Sequence, residues 1–291
     1  MHTGHPFRRA HILLTGCLLI MPGPDAAPNQ NISINDGNAP LDRCDQLEIS
    51  FDSRPALRDE EALQLPVGAE PLTVTLAHQG GIGLRQGSAN QHEVTLCKAV
   101  PDGRGADFPA IRAVVKGSSV EVSGPAGGRW VGYLLVRSPR GSHVNLSATN
   151  GPVRADSFEG ELNVQTTNGP IALMHVRGKV TARAQNGPVK IEGDGGHVSV
   201  ETQNGPIGVR LLGTQWQAGD LVARAQNGPL SVQLPAQYRS GVEIESSGHA
   251  PWSCDVDCGS GDDRAGTRRA RLGEGPTHVK LSTVNGPVKV R

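Results

Sequence analysis

Five cysteines, ten histidines and a cluster of aspartates are the residues of this chain with chemistry to offer. His143, His197 and His278 each stand seven residues before a copy of a recurring Asn-Gly-Pro, and Glu161, Lys179 and Asp220 share that offset. Such a line could bind a metal or relay protons. An offset that takes His, Glu, Lys and Asp alike also suits a corner position open to any polar residue. His143 and His197 are three repeats apart, about 14 Å at strand spacing, too far to share one ion. His249 with Cys254 and Cys258 offers only three ligands at an unfamiliar spacing. Asp255, Asp257, Asp262 and Asp263 suggest calcium, but Gly259 takes the fifth place of an EF-hand loop and no acid stands at the twelfth. A solvated loop is the simpler reading.

Sugar-cleaving chemistry needs paired carboxylates, or a base beside a metal, on one face. Asp156 and Glu192 share an offset but lie two repeats apart, about 10 Å, with Met174 between them. No Gly-x-Ser-x-Gly, His-Glu-x-x-His or phosphate-loop motif occurs. Lys plus Arg equals Asp plus Glu at 28 each, so no global field attracts nucleic acid or an anionic membrane. The expectation is a protein with no catalytic residues, no metal and no cofactor.

The other cysteines depend on compartment. Arg8 and Arg9 precede an apolar run, Ala10 to Met21, then Pro and Gly breakers and Ala26-Ala27. This reads as an export signal over 1–27, too short to span a bilayer. Leu14-Thr15-Gly16-Cys17 resembles a bacterial lipobox, leaving simple cleavage and lipidation at Cys17 both open. After export, Cys44, Cys97, Cys254 and Cys258 form an even set in an oxidising compartment. Three pairings exist, and neighbourhood favours Cys44–Cys97 and Cys254–Cys258.

The elements that must position these residues are repeats. Asn-Gly-Pro begins at Asn150, Asn168, Asn186, Asn204, Asn227 and Asn285, at intervals of 18, 18, 18, 23 and 58 residues. Six before each Asn stand Val144, Leu162, Val180, Val198, Leu221 and Val279, with Leu, Val or Ala four before and Ala or Thr two before. Val153, Ile171, Val189, Ile207, Leu230 and Val288 follow three after. A period of two means strands with one buried face, and the Asn shares the buried parity. Asn-Gly alone would suggest a hairpin, but the following Pro has no N–H to return across one. Parallel stacking explains the period: each repeat is one rung of two short strands and two corners. The six Asn then form a ladder of amides, and Gln165, Arg183, Glu201, Arg224 and Glu245 form an outward column of alternating charge.

Within the 58-residue interval Val242, Ile244 and Ser246 lead to Gly248 at the Asn place, a worn rung. Cys254 to Gly275 follows as a polar excursion, and Val279 resumes the stack. Upstream, strand-like runs at Leu47–Phe51, Leu72–Leu76, 94–96, Ile111–Val115, Ser119–Val122 and Val131–Val136 are less ordered. The organisation expected is an export signal over 1–27, a flexible leader over 28–46, degenerate rungs or a β cap over 47–140 and a repeat domain over 141–291.

The stretches Gly160 to Leu173, Gly178 to Ile191, Gly196 to Val209 and the closing Gly273 to Val290 follow Gly-x-Val-x-Val-x-Thr-x-Asn-Gly-x-Ile-x-Val in outline. This resembles the bacterial putative-adhesin family with toast-rack β-solenoid domains. The resemblance implies no catalytic residues, and Pro follows every Asn-Gly here more strictly than in that family. The expected fold is all-β, a single-stranded, right-handed parallel β-solenoid (β-helix) of about 18-residue rungs with a degenerate N-terminal β region. The expected role is a noncatalytic exported display or interaction module of the periplasm, outer membrane or extracellular space. Its partner would be an unknown protein or glycan, with no nucleic acid, and membrane contact only through a lipid anchor. The alternative is a carbohydrate-active enzyme or polysaccharide-binding protein on the same scaffold.

Overall fold

The computed structural model describes residues 31–37, 41–88, 90–247, 249–256, 258, 262–264 and 266–291. The export segment, Cys17 and Gly248 lie outside them.

Alternation drives every repeat to a strand with one face inward. In His143–Asn150, Val144, Leu146 and Ala148 are buried while Asn145 and Ser147 are half-exposed. The Asn-Gly-Pro corner turns the chain, and the short strand Val153–Asp156 follows with Val153 and Ala155 inward. Each repeat thus makes one longer and one shorter strand.

The longer strands pair in parallel, layer on layer: Val144 opposite Leu162, then Val180, Val198, Leu221 and Val279. The shorter ones form a second parallel column through Val153, Ile171, Val189, Ile207, Leu230 and Val288. One continuous core, almost all aliphatic, fills the space between the columns. The result is all-β, mostly parallel, with no closed barrel.

Stacking, more than turn geometry, dictates the corner Gly. A Cβ on Gly169, Gly187, Gly205, Gly228 or Gly286 would drive into the carbonyl oxygen of the corner Gly one layer away. The opposite corner repeats the device, Gly178 lying against Gly160 and Gly196 against Gly178. At the Asn-Gly-Pro corner every layer from Gly169 to Gly286 carries Gly, whereas the opposite column admits Ser142 and Thr277 at its end layers. The buried Thr residues two before the Asn have a separate task. Thr166 Oγ1 donates to Gly169 O at 3.1 Å, Thr202 to Gly187 O at 3.3 Å and Thr283 to Gly228 O at 2.8 Å. Each ties the core to a corner carbonyl.

The final layers correct the expectation that the stack runs in chain order. Leu221 pairs with Val279, and Val279 pairs on its other side with Val242. The strand Thr277–Asn285 therefore inserts between Leu221–Asn227 and the worn repeat, Gly241–Ser247, which forms the outer parallel layer. Thr267–Leu272 covers that layer antiparallel, and Asp262–Arg264 pairs with Thr267–Leu272 in turn. In the second column, Trp252–Cys254 likewise lies outside Val288–Val290. Alignment reads parity, and parity is the same whichever neighbour a strand takes.

The other end is built the same way. Leu72–Gln86 is a single strand serving both columns, with Val74 opposite Leu146 and Ile82 opposite Val153. Outside it lie Ser119–Ser123 and Val131–Ser138, both parallel to it although later in the chain. Antiparallel strands then close the end: Arg112–Lys116 on one column, Gln91–Val100 and Leu57–Pro66 on the other.

The segment expected as a loose leader contains the strand Ile32–Asn35, which joins Glu48–Phe51 and Arg54–Pro55 in an antiparallel sheet. Leu47, Ile49 and Phe51 pack on Val131, Tyr133 and Leu135 as a second small core, and Cys44 is bonded to Cys97 beneath it. Asp42 takes hydrogen bonds from Arg85 and Arg137, Gly37 O accepts from Arg154 at 3.2 Å, and Tyr133 donates its hydroxyl to Asp36 at 3.2 Å. Burial pushes the Tyr133 phenol far up.

Candidate functional site

The longer strands turn a regular polar face to solvent, because every second residue must point outward. Its columns lie seven, five, three and one residues before the Asn.

The outermost column runs His143, Glu161, Lys179, His197, Asp220, His278. Lys179 Nζ donates to Glu161 at 2.8 Å and holds that carboxyl below the usual range, with His143 at 4.0 Å contributing. His278 Nδ1 lies 2.9 Å from Asp220 Oδ1, and His143 Nε2 lies 3.3 Å from the Asn163 amide. The three histidines are therefore separated, His143 beside Asn163 and Glu161 and His278 beside Asp220. Among the described residues no group of three or more His, Cys, Asp or Glu could hold a metal. Cys254 and Cys258 are bonded to each other, so neither is a free thiolate beside His249.

Three before the Asn, Arg183 Nε lies 3.3 Å from Glu201, and Arg224 lies 4.0 Å from the same carboxylate. Ser282 then separates Arg224 from Glu245, because the closing strand has taken the inner place. Glu245 pairs instead with Arg269 at 3.1 Å, on the antiparallel cover strand. The alternating column expected from chain order is thus broken at its last step.

The amides of Asn168, Asn186, Asn204, Asn227 and Asn285 each donate to the Asn one layer away, at 3.1, 3.0, 3.0, 3.1 and 2.8 Å. The ladder starts at Asn150 and is exposed along most of its length, although its parity places it inward. Strand parity ends where the corner begins, and the turn swings the Asn side chain to the edge.

On the second face, Asp156 accepts from Ser157 Oγ at 2.7 Å, and Met174 separates it from Glu192. Glu192 sits 3.8 Å from both Lys190 and Arg210. Asp156 and Glu192 are not brought together.

One concavity of the first face was not singled out by sequence reasoning. It is a groove of ≈ 640 Å³ across the layers of the first face. Arg183, Glu201 and Arg224 line one wall; Thr167, Gln185, Gln203, Gln226 and Val284 line the other, all of them one residue before the Asn. That column was available from the same alignment. A second hollow of ≈ 770 Å³ shares Arg224 and Ser282 with it and continues over Lys280, Glu243, Glu245, Arg269 and Arg271. The arrangement can offer amides, hydroxyls and spaced cations to an extended ligand.

No family model and no curated protein matches the chain. Its solved likenesses are named mostly as adhesins. They include a putative cell adhesion protein from Clostridium sporogenes, at 10% identity and TM-score 0.33, over 80% of this chain and 99% of the other. A putative adhesin from Bacteroides fragilis shows 11% identity and TM-score 0.38, over 80% and 96%. A putative lipid binding protein from Parabacteroides distasonis shows 11% identity and TM-score 0.30, over the same shares. Likeness this distant carries no argument about function. The geometry of the face has to carry it. No helix among the described residues is long and apolar enough to cross a membrane.

Proposed function

We propose that this protein is a noncatalytic display or interaction module of the cell envelope or surface, built as a parallel β-solenoid. Two strand columns advancing one repeat per layer support the solenoid reading. Two disulfides, Cys44–Cys97 and Cys254–Cys258, suit an oxidising compartment and hence export, with residues 1–27 as signal and Cys17 as a lipid anchor if it is modified. Residues 1–27 as signal and 141–291 as repeat domain remain the proposed organisation, with the segment expected as a leader joined to the 47–140 cap.

The observation that carries the functional reading is the state of the acids on the two faces. Glu161, Glu192, Glu201 and Glu245 each face a lysine or arginine, and Asp194 receives two hydrogen bonds from Arg177 at 2.8 and 2.9 Å. Acids held in pairs along a regular lattice suit recognition across many layers. A glycosidase instead keeps two carboxyls aimed at one bond.

The test is binding to cell surfaces and a glycan array, with circular dichroism on each variant. Alanine at His143, His197 or His278 leaves binding and fold nearly unchanged, within about 0.5 kcal/mol of stability. One folded histidine variant that loses binding would overturn the display reading in favour of a localised site.

A further inference from the structure

We infer that the joined grooves of the first face form a binding track for a linear acidic polysaccharide lying across the strands. This rests on the display reading and names the ligand class and the site. The two hollows share Arg224 and Ser282, so they make one path from Ser147 to Arg271. Its charged lining is Arg183, Arg224, Lys280, Arg269 and Arg271 against Glu201, Glu243 and Glu245, five cations against three anions and a surplus of two. The whole chain has no such surplus, its formal net charge being zero. A smaller hollow on the opposite face, with Lys190, Arg210 and Arg291 against Glu192, carries the same surplus, so charge count alone does not single out the track; its length across the layers and its amide column do.

Not all these cations are engaged alike. Arg271 is occupied with the Gly273 and Gly275 carbonyls at 3.3 and 2.6 Å, and Arg269 with Glu245. Lys280 makes no ion pair within 4 Å among the described residues, although Glu243 stands opposite it on the next strand, and Arg224 reaches Glu201 only at 4.0 Å. The two cations stand on adjacent strands, offset by two residues, since Lys280 lies opposite Val222 and Ser282 opposite Arg224. Together they are the least tightly engaged cations of the path. Ser282 stands opposite Arg224, and Gln185, Gln203 and Gln226 line the neighbouring column, groups that can donate and accept.

This chemistry selects among polymers. A nucleic acid would want aromatic platforms and denser cations, and among the described residues no aromatic side chain lines either hollow. An added peptide strand would need open backbone groups, whereas the inner layers are hydrogen-bonded on both sides. Among the described residues, Val284 is the one large exposed hydrophobic on the path. A sugar chain carrying intermittent carboxylates asks for what is present: amides and hydroxyls at each step, and a few cations.

The experiment measures binding of the full chain to polygalacturonate by interferometry, with neutral dextran and duplex DNA as comparators. Binding is expected to polygalacturonate over both comparators and to weaken as salt rises. Arg224→Gln and Lys280→Gln should each lower affinity about tenfold, the worth of one hydrogen bond to a charged group. Lys289→Gln, on the opposite face, should leave it unchanged, with circular dichroism confirming the fold of all three. Equal losses from both faces, or DNA bound as well as the glycan, overturn the track. If polygalacturonate binds but Arg224→Gln and Lys280→Gln change nothing, the track fails while the display reading stands. Depolymerisation of the glycan would sink the display reading and leave the track as a substrate cleft.

Discussion

The middle of the molecule and its two ends solve the same packing problem by different rules. From His143 to Gln233 each strand lies on the one from the preceding repeat, in chain order and in unbroken register. At both ends the order breaks. Leu72–Gln86 and Thr277–Asn285 are each slotted one layer in, a more local segment is pushed outward, and antiparallel strands cover it. A parallel stack exposes a row of unpaired backbone groups at each end, an invitation to unwanted association. The middle can be repetitive because its neighbours are copies of itself. An end cannot, so irregular sequence goes where the lattice has to stop.

The sharpest way to break this contrast is to charge the middle. Val180 is 1% exposed, between Leu162 and Val198. Val180→Asp places an unpaired charge in a thin core and should abolish folding, at a cost of several kcal/mol. Circular dichroism and thermal unfolding read the result. A folded variant with a near-normal melting point would mean the layers are not held by one continuous core.

The disulfides test the ends. In the chain-entropy view, opening Cys44–Cys97, separated by 53 residues, costs about 4 kcal/mol, and opening the four-residue separation of Cys254–Cys258 about 2 kcal/mol. Hydrogen exchange after replacing each pair by alanine should show loss of protection confined to residues 31–51 in the first case and to the C-terminal cover in the second. Loss that spreads evenly into residues 143–233 would erase the distinction between middle and ends.

The smallest effect probes the amide ladder. Asn186 is bonded on both sides and Asn150 on one. Because the ladder is exposed, Asn186→Leu should cost about 1 kcal/mol and Asn150→Leu less, water replacing part of what is lost. Equal shifts in melting temperature would show that the ladder contributes no coupling between layers.

Where the chain repeats, it was readable. Val144, Leu162 and Val180 share an offset, and the structure stacks them. The Asn parity was read correctly and its burial was not, because a corner ends the alternation that burial follows. The corner Gly could be seen as invariant within the chain, but its reason needed the neighbouring layer. The exchange of Gly241–Ser247 and Thr277–Asn285 was illegible, since both carry the same pattern and either could take the inner place. The groove wall of Thr167, Gln185, Gln203 and Gln226 lay in the same alignment, passed over because uncharged polar residues on a strand usually signify only solvent.

The exchanged layer also sets a schedule. Chains are made N-terminus first, and segments generally fold in that order. The repeats from His143 to Gln233 can add one at a time as they emerge. Gly241 to Leu272 cannot take its final place on arrival, because the strand it rests on, Thr277–Asn285, is still to come. That strand is the keystone of its end. Until it arrives the stack has a temporary last layer, Leu221–Asn227, whose outer edge is open, and a finished cover with nothing yet to cover.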